Sequence, residues 1–219
     1  MSTISIHPRV LHKNTLIVLH GMYCDAKTTK EYFKDLIDKM PYTKFIFVES
    51  PKMTINWPQG NESNVKSWYN YYTRKDGVLD HDDINIDDMN NQCDILLRIV
   101  EKESNLLKDS KKVGICGISQ GGTVCLHALM KSNKPLWGVF CLRSVLMVNI
   151  TTVNPVRQDT PIYIFSGDKD EVYLLKLQKI SYIHLEYNGY RIDWHIEQGL
   201  NHSDYSDTEL KFLYNKLNI

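Results

Sequence analysis

Ser119 stands in the pattern Gly117-x-Ser119-x-Gly121, between a short apolar segment and a run that favours a helix. Such a pattern predicts a sharp strand-to-helix turn that exposes the serine hydroxyl, with glycines that let the strand and helix approach closely. The positive end of the helix would face negative charge that develops beside Ser119. The pattern also arises by chance in about one chain in ten of this length. An inert serine in a glycine-rich turn is therefore the alternative.

A serine nucleophile requires a base within hydrogen-bonding reach and a third group that orients the base. His202 lies in a loop between a predicted strand and a predicted helix, so it is the candidate base, and an ordinary surface histidine is the alternative. Asp168 and Asp170 follow an earlier strand and compete for the role of the acid. We favour Asp170, because Asp168 is expected to brace the loop by accepting backbone N–H bonds.

Two backbone N–H groups would complete a site that stabilises an oxyanion. One belongs to Gln120, directly after the candidate nucleophile, and the other to Met22, which follows His20-Gly21 at the end of the first core strand. His20 itself is expected to be a structural polar group beside the site.

Strands and helices alternate along the chain, and these elements must position the candidate residues. The predicted strands cover residues 2–7, 14–19, 44–48, 136–142, 161–166 and 193–197, and one more leads into Gly117. The predicted helices run from a Thr28–Glu31 capping box to Pro41, over 87–107, 123–131 and 173–180, and after a Ser206 cap. This alternation indicates an α/β fold with a mostly parallel sheet flanked by helices. Ser119, Asp170 and His202 all follow strands, where the binding crevice of such a sheet forms.

Residues 49–86 form a long polar and aromatic segment for which we expect a loop without regular structure. Loops of this length are often functional, so the segment could cover the site. The alternative is a surface excursion whose aromatic side chains pack onto the domain.

Length and composition are those of an ordinary globular chain, with 219 residues, 42% of them hydrophobic and 24% charged. They predict a single domain over residues 1–219 that buries about 70% of its unfolded surface. Acidic and basic residues balance at 26 each, so no nucleic-acid partner and no polybasic membrane patch are expected.

Five cysteines occur without C-x-x-C spacing, which predicts buried, reduced thiols and no zinc site. The N-terminus lacks an apolar leader, and no run approaches the ~18 apolar residues of a membrane span. A cytoplasmic protein is expected, and the sequence leaves its oligomeric state open.

The chain resembles the acyl-protein thioesterase/carboxylesterase (lysophospholipase-like) family of the α/β-hydrolase superfamily. The residues that carry the resemblance are Leu19-His20-Gly21, Gly117-Ile118-Ser119-Gln120-Gly121-Gly122, the Gly167–Val172 loop and the Gly199–Ser203 loop.

This resemblance implies an α/β-hydrolase fold with Ser119 as nucleophile, His202 as base, Asp170 as acid, and Met22 and Gln120 as oxyanion donors. It also implies a shallow apolar acyl site, no metal or cofactor, and a substrate that is a small ester or an acylated protein.

Several residues depart from the family pattern. Tyr23 and Cys24 replace a glycine and an aspartate beside the oxyanion loop, and Asn201 replaces a glycine before His202. We expect Tyr23 to narrow the acyl site, and Tyr23 and Trp68 to contact the substrate. Arg143 replaces a small polar residue, and a solvated surface arginine is expected, with contact to an anionic substrate group as the alternative.

The leading hypothesis is a serine esterase or thioesterase that works through an acyl-enzyme. A catalytically impaired hydrolase fold that acts as a binding protein is the non-enzymatic alternative, suggested by the substitutions at Tyr23, Cys24 and Asn201. A dienelactone hydrolase or a peptidase of the same fold is a third reading. The serine at the elbow argues against the former and the short chain against the latter.

Overall fold

A seven-stranded sheet is the centre of the computed structural model, which describes residues 2–74, 82–147 and 159–218. The strands are β1 (Thr3–Ile6), β2 (Asn14–Leu19), β3 (Thr43–Val48), β4 (Lys52–Trp57), β5 (Gly60–Lys66), β6 (Val113–Ile118), β7 (Val139–Leu142), β8 (Ile162–Gly167) and β9 (Ile192–Glu197). The sheet has the order β1-β3-β2-β6-β7-β8-β9, while β4 and β5 pair separately. Within the seven-stranded sheet, only β1 is antiparallel to its neighbour, so the predicted mostly parallel sheet is confirmed.

Among the described residues, six α-helices flank the sheet. They are α1 (Ala26–Tyr32), α2 (Lys34–Lys39), α3 (Ile86–Leu107), α4 (Gln120–Lys131), α5 (Leu175–Tyr187) and α6 (Asp207–Leu217). Each residue from Leu16 to Leu19 is at most 1% exposed, because helices lie on both faces of β2. Ile17 and Leu19 pack in the core with α3 and α4, whereas Leu16 and Val18 pack in the core with α1, α2 and α6. The α/β architecture predicted from the alternation, a mostly parallel sheet flanked by helices, is therefore confirmed.

The first helical region differs from the prediction. The N-cap is Asp25 and not Thr28, since the Asp25 carboxylate accepts the Thr28 N–H at 2.7 Å. An ionised carboxylate at a helix N-terminus also interacts with the helix dipole, which a threonine hydroxyl does not. The Thr28 amide and Lys66 lower the pKa of Asp25 below its usual range. The helix is also interrupted at Phe33, between α1 and α2.

The segment 49–86 is not the structureless loop that we expected. Its first half forms an antiparallel hairpin of β4 and β5, with Gly60 at a φ of 141° in the turn. Trp68, Tyr69 and Tyr71 are buried, as the packing alternative predicts, and Asn85 caps α3. Residues 75–81 of the segment lie outside the described residues.

Smaller differences concern the ends of other elements. Helix α4 begins at Gln120, before the predicted residue 123, and α5 runs from Leu175 to Tyr187 where 173–180 was predicted. Strand β7 begins at Val139, three residues after the predicted start, and the Leu136 N–H donates to the Thr160 hydroxyl.

The five cysteines are free thiols, and all but the partly exposed Cys24 are buried. Burial raises the pKa of the Cys93 thiol to about 12, which keeps it protonated near neutral pH. Within residues 2–74, 82–147 and 159–218, no helix is long and apolar enough to cross a bilayer. The single-domain organisation of residues 1–219 stays a prediction.

Candidate active site

Ser119 occupies a strained turn between β6 and α4, with a φ of 53° and a ψ of −123°. Non-glycine residues adopt such angles only where the surroundings hold them. A Cβ atom on Gly117 would lie 2.3 Å from the Gly121 backbone, and one on Gly121 would lie 2.6 Å from the carbonyl oxygens of Leu19 and His20. The two glycines of the predicted elbow are therefore required by the close packing of strand and helix.

The structure brings Ser119, His202 and Asp170 together. His202 Nε2 lies 2.8 Å from Ser119 Oγ, and His202 Nδ1 lies 2.9 Å from both carboxylate oxygens of Asp170. Because a carboxylate accepts at Nδ1, the neutral imidazole carries its proton there, and Nε2 is free to accept the serine proton. The Ser119–His202 distance is within the ~3.2 Å that a general base requires. This geometry does not favour the non-catalytic alternative.

Asp170 and Asp168 have different surroundings in the loop after β8. Asp170 is 3% exposed, and its Oδ1 also accepts the N–H groups of Val172 at 3.0 Å and Tyr173 at 2.7 Å. The carboxylate of Asp168 instead accepts the Gly199 N–H at 2.6 Å, which ties its loop to the loop that precedes His202. Asp168 is thus the turn brace that the sequence predicts.

Met22 and Gln120 line the same cavity as Ser119. Gln120 is the first residue of α4, so its N–H has no partner within the helix. Within the described ranges, the Met22 N–H likewise donates to no backbone acceptor. Their role as oxyanion donors stays a prediction.

Buried contacts hold the Met22 loop in place. His20 is fully buried, its Nδ1 donates to Gly21 O at 2.7 Å, and its Nε2 accepts the Ser50 N–H at 3.0 Å. The imidazole is therefore neutral, and burial lowers its pKa below 6.5. These contacts confirm His20 as a structural group beside the site.

Trp68 lies behind the site, so the expectation that it contacts substrate is wrong for this structure. Its side chain is 1% exposed, stacks at a tilt on His20 and donates from Nε1 to His20 O at 2.7 Å. A bulky aromatic side chain with one N–H gains most when it is buried with that N–H satisfied. Trp68 consequently supports the loop that carries Met22 from its buried side.

The side chain of Gln120 has a structural role that the sequence analysis did not identify. Its Oε1 accepts the Trp68 N–H at 2.8 Å, and its Nε2 donates to Ser67 Oγ at 2.8 Å and Tyr69 O at 3.1 Å. The amide therefore fastens the segment that follows the hairpin to the N-terminus of α4.

Two cavities flank Ser119. The larger, of about 520 Å³, extends towards the hairpin and is lined by Tyr23, Trp57 and Tyr71 among others. The smaller, of about 190 Å³, lies towards α1 and is lined by Tyr32 and Tyr205.

Tyr23 forms part of the outer wall of the larger cavity. The residue is 60% exposed, and its hydroxyl donates to Glu62 at 2.8 Å. Partial burial and the hydrogen bond to Glu62 raise the pKa of Tyr23. This position agrees with the expected contact between Tyr23 and a substrate, which stays a prediction.

Arg143 is not the solvated surface arginine that we expected. It is 4% exposed and pairs with buried Glu209 at 2.9 Å, and its Nη1 donates to the carbonyl oxygens of His202 and Asp204, both at 2.7 Å. Burial alone would lower the pKa of Arg143, but Glu209 raises it. The signal that could have indicated a role near the site is the position of Arg143 directly after the predicted strand 136–142.

Comparison with known proteins gives a consistent result. A family model described as phospholipase/carboxylesterase matches residues 3–219. The chain is 25% identical to acyl-protein thioesterase 1 of Yarrowia lipolytica, over 91% of this chain and 89% of that protein. It is 22% identical to lysophospholipase-like protein 1 of Mus musculus, over 95% of this chain and 87% of that protein.

Solved structures share the fold. Arabidopsis thaliana SOBER1 superposes with a TM-score of 0.77 at 20% identity, over 94% of this chain and 97% of that one. The Bacillus cereus carboxylesterase superposes with a TM-score of 0.77 at 13% identity, over 100% and 93% of the two chains. Since the family model covers nearly every residue and the fold agrees, the chain belongs to the phospholipase/carboxylesterase family of α/β-hydrolases.

Proposed function

We propose that this protein hydrolyses carboxylic esters or acyl thioesters through a Ser119–His202–Asp170 triad and an acyl-enzyme intermediate. The observation that carries the proposal is the unbroken hydrogen-bonded line from Ser119 Oγ through His202 to Asp170, with distances of 2.8 and 2.9 Å. The family, whose described members include esterases, supports the same reaction class.

In the acylation step, Ser119 Oγ attacks the carbonyl carbon of the substrate while His202 Nε2 takes the serine proton. The resulting imidazolium is stabilised by Asp170, which already accepts a hydrogen bond from the Nδ1–H group. Charge that develops on the carbonyl oxygen is stabilised by the amides of Met22 and Gln120 and by the N-terminus of α4. His202 then gives its proton to the departing alcohol or thiol.

In the deacylation step, water attacks the acyl-Ser119 ester while His202 again acts as the base. The released acid leaves Ser119 protonated, so the cycle closes without a redox step or a second co-substrate. The acyl group and the leaving group would occupy the two cavities that flank Ser119.

The substrate is a small ester or an acylated protein. Relatives carry the names acyl-protein thioesterase and lysophospholipase-like protein, which correspond to a protein thioester and to a lipid ester. Tyr23 is proposed as a substrate contact, because it lines the larger cavity and is largely exposed. The cytoplasmic location expected from the sequence stays a prediction.

A fluorophosphonate probe tests the proposal. We expect stoichiometric labelling of the wild-type protein and none of Ser119→Ala, because the probe reacts with a serine that a histidine activates. His202→Ala should also fail to label while its circular dichroism spectrum stays native. A folded wild-type protein that never labels would refute the proposed chemistry.

The leaving group is identified by a substrate series. p-Nitrophenyl esters of increasing acyl length are assayed beside acyl thioesters of the same chains, with Ser119→Ala as the blank. Turnover of at least one class is expected, and the ratio of kcat/KM between them decides the preference. Equal rates for the wild type and Ser119→Ala would contradict the proposal.

A further inference from the structure

Three consecutive residues at the end of β7 contact both the nucleophile and the base. Leu142 O accepts the Ser119 N–H at 2.8 Å, and Ser144 Oγ donates to Ser119 O at 2.8 Å. Between them, Arg143 donates from Nη1 to the carbonyl oxygens of His202 and Asp204, both at 2.7 Å. We call residues 142–144 the β7 bracket, since their contacts join the serine turn to the histidine loop.

The guanidinium of Arg143 is itself held on its other side. Its Nε and Nη2 donate to the two carboxylate oxygens of Glu209 at 3.1 and 2.9 Å, and Glu209 also accepts the Tyr32 hydroxyl at 2.6 Å. The side chains of Arg143 and Glu209 are 5% and 0% exposed. A bidentate pair of this kind fixes the planar guanidinium in orientation as well as in position.

The backbone of Arg143 is constrained as well. Its φ is 49°, in the left-handed region, and its N–H donates to Phe165 O at 2.7 Å, beside the end of β8. A large non-glycine residue keeps this conformation only when its contacts require it. The left-handed conformation of Arg143 ends the regular strand geometry of β7. The guanidinium contacts the loop that carries His202.

We propose that Arg143 is a positioning residue for the triad, which sets the imidazole of His202 relative to Ser119 through the carbonyl oxygen of His202. The inference rests on the proposed function for its effect on turnover. Misplacement of a reacting group by about 1 Å can cost about 100-fold in rate. Loss of the guanidinium should therefore lower kcat. KM should change by a smaller factor, although Arg143 also lines the smaller cavity beside Ser119.

The competing explanation is that the Arg143–Glu209 pair serves stability alone. Removal of one partner leaves a buried charge unpaired and destabilises the fold. A loss of activity in a single variant could therefore come from either role. Replacement of both partners by apolar residues of similar size is often neutral for stability. The double variant Arg143→Met/Glu209→Met therefore separates positioning from stability.

The experiment compares this double variant with wild type and with Arg9→Met, which removes an exposed ion pair to Asp38 far from the site. Steady-state kinetics give kcat and KM on a p-nitrophenyl ester, thermal unfolding gives Tm, and one-dimensional proton NMR follows the downfield resonance of the His202 Nδ1 proton. The NMR signal reports the His202–Asp170 contact directly and does not depend on turnover.

For the double variant, we expect Tm within about 4 °C of wild type, kcat lowered about 10- to 100-fold, KM changed by a smaller factor than kcat, and a lost or broadened Nδ1 resonance. Arg9→Met should match wild type in all four. Wild-type kcat and an unchanged resonance in the double variant would overturn the inference.

A second variant keeps the test decisive if the double variant does not fold. Arg143→Lys retains a positive charge beside Glu209, but its three N–H donors cannot replace the four hydrogen bonds and the planar bidentate contact of the guanidinium. The same loss of kcat and of the resonance is expected at a smaller size, and wild-type values would again overturn the inference. If wild type turns over no ester or thioester, the proposed function fails, and the NMR comparison still decides the role of Arg143.

Discussion

The inner and outer walls of the site are built from different kinds of contact. On the inner wall, Asp170, Arg143 and Glu209 are at most 4% exposed, and each forms several hydrogen bonds to side chains or loop backbone. On the outer wall, Tyr23 and Glu62 meet at the surface, and their contact leaves Tyr23 60% exposed.

This difference separates chemistry from selectivity. Buried charged groups that are held by hydrogen bonds do not reorganise during a reaction. Such fixed groups are suited to stabilising a transition state. An exposed wall held by single surface hydrogen bonds can change its shape or sequence at little cost in stability. We therefore expect changes on the inner wall to affect kcat or folding, and changes on the outer wall to affect KM.

The largest effect is expected for Asp170→Asn. An amide at this position would favour the wrong imidazole tautomer, so Nε2 could no longer take the serine proton, and kcat should fall about 10⁴-fold. Steady-state kinetics with a p-nitrophenyl ester measure the loss. Asp168→Asn is the matched control, since Asp168 braces a turn two residues away, and it should retain most of the activity. Equal losses in the two variants would contradict the assignment of the acid.

Gly117→Ala tests the packing of the inner wall. The new Cβ would lie 2.3 Å from the Gly121 backbone, which cannot move without disrupting the elbow. We expect the free energy of unfolding to fall by about 3 kcal/mol, as measured by urea denaturation. Gly21→Ala is the control, because its Cβ would meet Ser119 at an ordinary 3.4 Å. A Gly117→Ala protein as stable as the control would show that the elbow is not tightly packed.

The pH dependence of stability tests the support of the oxyanion loop. Burial lowers the pKa of His20 below 6.5, so the unfolded chain binds more protons than the folded one just below pH 6.5. Stability should therefore be full above pH 6.5 and decline as pH falls below it, by at most about 1.4 kcal/mol per pH unit from this group. Protonation would also break the bond that Nε2 accepts from Ser50.

Urea denaturation between pH 5 and 7.5 measures this slope. His20→Gln should flatten it, although His12, whose pKa burial also lowers, keeps part of the decline in the variant. An identical slope in wild type and His20→Gln would exclude His20 as the source.

The smallest effect is expected on the outer wall. Glu62→Gln weakens the hydrogen bonds from the Tyr23 hydroxyl and from Trp57 Nε1, at 2.8 and 3.1 Å. KM should change by about fivefold at most, which corresponds to about 1 kcal/mol, and kcat should stay near wild type. Steady-state kinetics on two esters of different acyl length measure both. A large loss of kcat would remove the distinction between the two walls.

The sequence predicted those parts of the site that depend on local pattern. The elbow around Ser119, the loops that carry Asp170 and His202, and the alternation of strands and helices each follow from spacing within a short segment. Asp168 and His20 were also assigned structural roles. The His20 contact to Gly21 is local, whereas Asp168 accepts from Gly199, 31 residues away.

The failures concern contacts between distant segments. Arg143 was expected in solvent, yet its partner Glu209 lies 66 residues away, and only the fold brings the two charges together. Trp68 was expected at the substrate, but the burial of its ring against His20 depends on the path of the preceding hairpin. That hairpin was missed because β5 is largely exposed and polar, with no alternation that marks a strand.

The structure of the fluorophosphonate adduct tests the central claim most directly. We predict a covalent bond from phosphorus to Ser119 Oγ, with the phosphonyl oxygen about 2.7–3.1 Å from the amides of both Met22 and Gln120. A probe attached to another residue, or a phosphonyl oxygen that faces solvent, would contradict the proposed triad and oxyanion site.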